Sequence, residues 1–129
     1  MAKFFAVALA TAILLAPLNL TGTWNGTIAQ KNDDGTYGED SSAWLQLQQD
    51  GGKITGSVGP SSTNSHAIEN VFLTGDALSF STRLTDPESK EEMTWKFDMK
   101  LKDKIMEGTV QASRGEHHWE MRMKVTRSE

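Results

Sequence analysis

The 129-residue chain contains no cysteine. That absence excludes disulfides, lipid attachment through an N-terminal cysteine and thiolate metal sites. Positive charge is also in short supply: 13 Lys and Arg stand against 17 Asp and Glu, a formal charge of −4, with no long basic run. Nucleic acid and anionic lipid are therefore poor partners, because both need a basic surface to displace counterions. Catalytic signatures are missing too. There is no nucleophile elbow, no ordered Ser/His/Asp set, no phosphate-cradling glycine loop and no His-Glu-x-x-His. What remains is enough chain for one domain with a single core and no covalent staples.

The N-terminus differs in composition from the rest. Met1-Ala2-Lys3 gives a short positive start, Phe4 to Leu15 is almost wholly apolar, and small residues stand at Ala8, Ala10, Ala12 and Ala16. This is the pattern of a secretory signal, which places the body outside the cytoplasm, secreted or periplasmic. An apolar run of about 12 to 15 residues is short for a bilayer span, which takes ~20. Ala8-Leu9-Ala10 and Ala10-Thr11-Ala12 have cleavage spacing at the cost of a short apolar core, and Pro17 spoils Ala16 as a site. A retained anchor, or an ordered helix packed on a partner, stands beside the cleaved signal as a second reading. Residues 1–19 are thus a leader or anchor, and 20–129 the folded domain.

The most regular segment of that domain is Met93 to Leu101. Met93, Trp95, Phe97, Met99 and Leu101 alternate with Thr94, Lys96, Asp98 and Lys100, the period-2 signature of a strand with one dry face. Seven further strands are expected to supply the facing wall, at 20–30, 42–49, 53–59, 67–74, 77–85, 105–113 and 117–126. Asp50-Gly51-Gly52, Gly75-Asp76, Asp103-Lys104 and Arg114-Gly115-Glu116 mark tight turns. Lys31 to Asp40 and Pro60 to Ser65 read as polar loops. Segment 67–74 is the least regular, since Ile68 and Val71 share a face only across a bulge. Trp44 points outward unless a bulge turns it in. Eight short strands on short turns predict an all-β fold, an antiparallel up-and-down barrel closed by pairing the last strand with the first. That closure carries Arg127 to Trp24.

Leu20-Thr21-Gly22-Thr23-Trp24 resembles the Gly-x-Trp opening strand of the calycin barrels, a group that includes lipocalins, fatty-acid-binding proteins and avidins. The lipocalin resemblance implies that Trp24 plugs one end with Arg127 lying across it. Thr-Gly-x-Val and Thr-Trp-Lys-Phe segments are similar to avidin ones, although Gly26 stands where the avidin pattern has asparagine. In layout the resemblance covers residues 20 to 127, and the whole is most similar to small secreted bacterial barrels with the same opening.

Trp24, Phe80, Trp95, Phe97, Met99, Trp119 and Met121 give the expected interior an unusual share of aromatic and thioether groups. They form either a packed core, with Met filling irregular gaps, or the lining of an adaptable apolar cavity, with His117 as a single polar group at its mouth. Glu116, His117, His118 and Glu120 are the one cluster of metal-capable residues, but adjacent strand histidines face opposite ways and do not chelate one ion. Asp33, Asp34, Glu39 and Asp40 lack the spacing of a calcium loop. No metal or cofactor is therefore expected. The leading functional expectation is a non-enzymatic protein holding a small apolar molecule in the barrel. An accessory subunit of a membrane-associated complex, held by the leader and Trp44, comes second. An enzyme of lyase or isomerase type comes third, with only His117 and Glu107 available as acid or base.

Overall fold

A computed structural model of the chain describes residues 19–85 and 87–128. The expected leader therefore lies, but for Asn19, outside the described residues. Those described contain nine strands and no helix: β1 Gly22–Gln30, β2 Ser41–Asp50, β3 Lys53–Ser61, β4 Asn64–Ala67, β5 Glu69–Thr74, β6 Ala77–Thr85, β7 Glu92–Lys102, β8 Ile105–Arg114 and β9 His117–Arg127. Every ladder is antiparallel, and the order in the sheet is β4-β3-β2-β1-β9-β8-β7-β6-β5.

Alternation in the sequence explains most of this. In β7, Phe97 and Met99 are buried while Lys96, Asp98 and Lys100 are exposed; in β9, Met121, Met123 and Val125 are buried between exposed Arg122 and Lys124. Tight turns carry left-handed residues where the hairpins need them, Gly51 at φ 59° between β2 and β3 and Asp103 at φ 58° between β7 and β8. β1 pairs with β9, aligning Trp24 with Arg127.

The expected closed eight-stranded barrel is corrected on both counts: the strands number nine and the sheet is open. The cause is local. The predicted fourth strand breaks at Ile68, its first part pairing only with β3 and its second only with β6. The anticipated bulge is present as a register shift between Glu69 and Phe72, where Asn70 takes φ 53°. Because one residue separates β4 from β5, the two edges of the sheet are consecutive in the chain, and the sheet rolls round on itself. Ile68 N–H donates to Gly56 O (3.0 Å) on one side, and Thr82 Oγ1 donates to Ala67 O (2.8 Å) on the other. A four-residue edge strand offers little template for a foreign chain.

Two loop expectations are also corrected. Pro60 and Ser61 continue β3, and Asn64 and Ser65 begin β4, leaving a two-residue turn. Lys31 to Asp40 is not open: Lys31 bridges to Tyr37, Gly38 N–H donates to Gln30 O, and Arg122 lies 4.3 Å from the Tyr37 ring centroid. This turn covers the outer side of β1, where Ala29 is buried. Trp44 is half-buried, with no register shift on either side of it.

Within that turn, the Asp34 carboxylate accepts from Thr36 Oγ1 (2.6 Å) and Thr36 N–H (3.0 Å). These bonds, the hydroxyl's first, hold its pKa below the ordinary aspartate value. A depressed folded-state pKa means the turn is favoured above the unfolded value and loosens as pH falls through the folded one. NMR titration is expected to place the Asp34 midpoint below ~3.9, and Thr36→Val is expected to move it back upward. A midpoint unmoved by that substitution would show that the hydroxyl does not hold the turn.

Candidate functional site

The rolled interior has two dissimilar ends. Toward the start of β1 it is filled: Leu20, Trp24, Leu47, Leu78, Met99, Met106 and Val125 are each at most 2% exposed. Trp24 seals this end. Its Nε1 donates to Leu20 O (3.1 Å), the Arg127 guanidinium lies 5.2 Å from its ring centroid, and Arg127 Nη1 donates to Asn19 O (2.6 Å). Ser128 N–H donates to Thr23 O beside it.

Toward the other end lies a cavity of about 220 Å³. Its walls come from β1 (Ile28), β2 (Ser41 to Ala43), β3 (Val58 to Pro60), β4 (His66), β6 (Thr82, Leu84), β7 (Trp95, Phe97) and β9 (Met123). The register explains this gathering. Val58 lies opposite His66, Thr82 opposite Trp95 and Ile28 opposite both Ser41 and Met123, so one level of the roll brings these side chains together. The surface is almost wholly apolar. Of its hydroxyls, Ser42 Oγ donates to Pro60 O (2.9 Å) and Thr82 Oγ1 to Ala67 O. His66 is exposed at the rim. Trp95 is half-buried, yet its Nε1 is shielded from solvent and has no hydrogen-bond partner among the described residues.

Of the residues expected to line a cavity, Trp95 and Phe97 do so. Trp24 and Met99 belong to the filled end. Phe80 sits behind Phe97, stacked at 4.6 Å between centroids and 14° between planes. Trp119 leans toward the β8–β9 hairpin, where His117 stacks on it at 6.1 Å and Arg114 lies 5.7 Å from its ring. His117 is exposed there and does not stand at the cavity mouth. Met121 is buried beside the Lys31–Asp40 turn. Sequence reasoning did not single out Ile28, Ala43 or Val58 as site residues. It missed His66, because no apolar periodicity marks β4.

The two acid-base candidates are not brought together. Glu107 pairs with Lys124 and His117 with Arg114, seven ladder positions apart, or roughly 23 Å at 3.3 Å per residue. Among the described residues no three His, Asp or Glu side chains converge as metal ligands, and Glu120 is instead ion-paired with Lys31 at 3.4 Å. On the outer face, Arg83 is held charged by its hydrogen bonds to Glu69.

Compared with protein-family models, with curated proteins and with solved structures, the chain matches none.

Proposed function

We propose that this chain is a non-enzymatic binding protein of lipocalin-like type, working outside the cytoplasm, that holds a small apolar molecule in the Trp95–Phe97 cavity. The single observation that carries the reading is an apolar chamber at one end of a rolled sheet whose other end is sealed. Trp24 under Arg127 supports the lipocalin-like part, and the composition of residues 1–19 supports export.

Volume bounds the ligand. An engineered cavity of ~150 Å³ stays dry and takes benzene, while drug-sized molecules occupy ~300–1,000 Å³. At about 220 Å³ the chamber suits one ring with a short chain. Anything that binds the folded state alone stabilises it, by about 2.7 kcal/mol at a hundred times Kd, which raises Tm by roughly 10 °C for a domain of this size. Butylbenzene and butyrophenone are suitable probes, and at least one is expected to produce such a rise. Val58→Phe, which puts a ring into the chamber, is expected to fold and to abolish the rise, as read by circular-dichroism melts. If neither probe moves Tm, or if Val58→Phe still responds, the cavity is not a binding site.

A further inference from the structure

The outer face of the sheet carries a trough of about 360 Å³ along β6, on the side away from the core. Register builds it. Ser79 and Ser81 are the outward residues of β6, set between the buried Leu78, Phe80 and Thr82, and they form a low floor. Taller side chains stand on both sides: Phe72 and Asn70 on β5, and on β7 Asp98 opposite Ser79 and Lys96 opposite Ser81. Neighbouring strands lie ~4.8 Å apart and alternate residues ~6.6 Å apart, so the walls are roughly 10 Å from one another with about 7 Å between the two rungs.

Phe72 is 66% exposed, the most exposed large apolar side chain among the described residues. A lone exposed ring says little, but this one stands beside polar groups that are themselves unengaged. The side chains of Ser79, Lys96 and Asp98 have no hydrogen-bond or ion-pair partner among the described residues. Asn70 Nδ2 donates to Ser81 Oγ (3.2 Å), which donates in turn to Glu69 O (3.4 Å), so the amide is held in place and its Oδ1 is left to accept. One ammonium and one carboxylate leave the trough without net charge, an arrangement that favours a neutral ligand over an ion of either sign. Donors and acceptors around an exposed ring match a sugar, whose hydroxyls give and take hydrogen bonds at its edge while its C–H face lies on an aromatic.

We infer that this trough is a second binding site, for a neutral saccharide that stacks on Phe72 and bonds through its hydroxyls to Asn70 Oδ1, Ser79, Lys96 and Asp98. The sheet itself separates it from the interior chamber, so the two sites stand or fall independently.

The test is a ¹H–¹⁵N titration of the full-length protein with glucose, cellobiose and maltose at millimolar concentrations. At least one is expected to shift the amides of Phe72, Ser79 and Asp98 to saturation while those of Ser41, Val58 and His66 stay in place. Phe72→Ala is expected to weaken that binding at least about tenfold and to leave the melting curve nearly unchanged, since replacing an exposed side chain costs the fold little. Lys96→Met and Asp98→Asn are each expected to weaken it about three- to tenfold, the worth of one net hydrogen bond. Glucuronate and protonated glucosamine are expected to bind more weakly than glucose. If none of the neutral sugars shifts these amides, if the binding survives Phe72→Ala, or if the chamber amides move instead, the trough is not a saccharide site. Tighter binding of either charged sugar than of glucose overturns the neutral class.

Discussion

Trp24→Ala is expected to cost about 3–5 kcal/mol, the range for truncating a buried large aromatic, out of the 5–15 kcal/mol that holds a domain of this kind together. Trp24 is 0% exposed, and its ring lies in the layer that joins the first strand, the last strand and the residues before β1. Two interactions compete as the explanation of its weight. One is burial of the indole; the other is the guanidinium of Arg127 over its face, at 5.2 Å from the centroid. A cation–π contact at a partly exposed site is worth roughly 0.5–2 kcal/mol, less than the burial. Arg127→Ala is accordingly expected to cost about 1 kcal/mol, while Trp24→Phe, which loses the bond to Leu20 O and some volume, falls between. Urea unfolding followed by far-ultraviolet circular dichroism separates these. A Trp24→Ala cost below about 1 kcal/mol would mean that this end of the roll is not sealed by the ring.

The order of those three variants was largely legible in the chain. Gly22-x-Trp24 and the distant Arg127 met because β9 reads cleanly as alternating Trp119, Met121, Met123 and Val125, and a meander of this length returns its last strand to its first. The inward face of β7 was legible for the same reason: a strand with one dry face writes its orientation into every second residue. The open edge was only half legible. The conflict between Ile68 and Val71 announced a bulge, but nothing in the sequence says that the chain pairs with one neighbour up to Ala67 and with the other from Glu69 on. Pairing on the two sides of Ile68 is decided by the partners themselves, Gly56 and Ser57 in β3 and Ser79 and Ser81 in β6.

The site was less legible than the fold. Counting aromatics correctly predicted an interior rich in them, but it does not say at which height along a strand the interior is filled. Trp24 and Met99 are inward and useless to a ligand, whereas Ala43 and Val58 are inward and line the chamber because small side chains there leave volume unoccupied. A cavity is made by what is small as much as by what is large. His66 arrives at the rim through the β3–β4 hairpin, a segment of Ser, Thr and Asn whose strand character comes from pairing alone.

Gly26→Ala is expected to destabilise by about 3 kcal/mol or more, the upper end of overpacking costs. Gly26 lies between Trp24 and Ile28 on the inward face of β1, paired with Ala43 on one side and Val125 on the other. A Cβ there would come 1.8 Å from Lys124 O and 2.7 Å from Val125 Cα, both backbone atoms of the adjoining strand. No rotamer relieves that overlap; β9 itself must move, and with it the Arg127–Trp24 seal and the Met123 wall of the cavity. Gly51→Ala is the control. Gly51 has φ 59° but nothing within 4 Å of its would-be Cβ, so its replacement costs only backbone strain, about 1 kcal/mol. Parallel urea titrations of the two variants decide which requirement dominates. Should Gly51→Ala prove the more damaging, the close approach of β1 to β9 is not what glycine at position 26 provides. Gly108 is a second instance in β8, where a Cβ would come 1.9 Å from Asp98 O of β7. Alanine at both 26 and 108 is therefore expected to leave no cooperative unfolding transition, because β1 would be displaced from β9 and β8 from β7 at once.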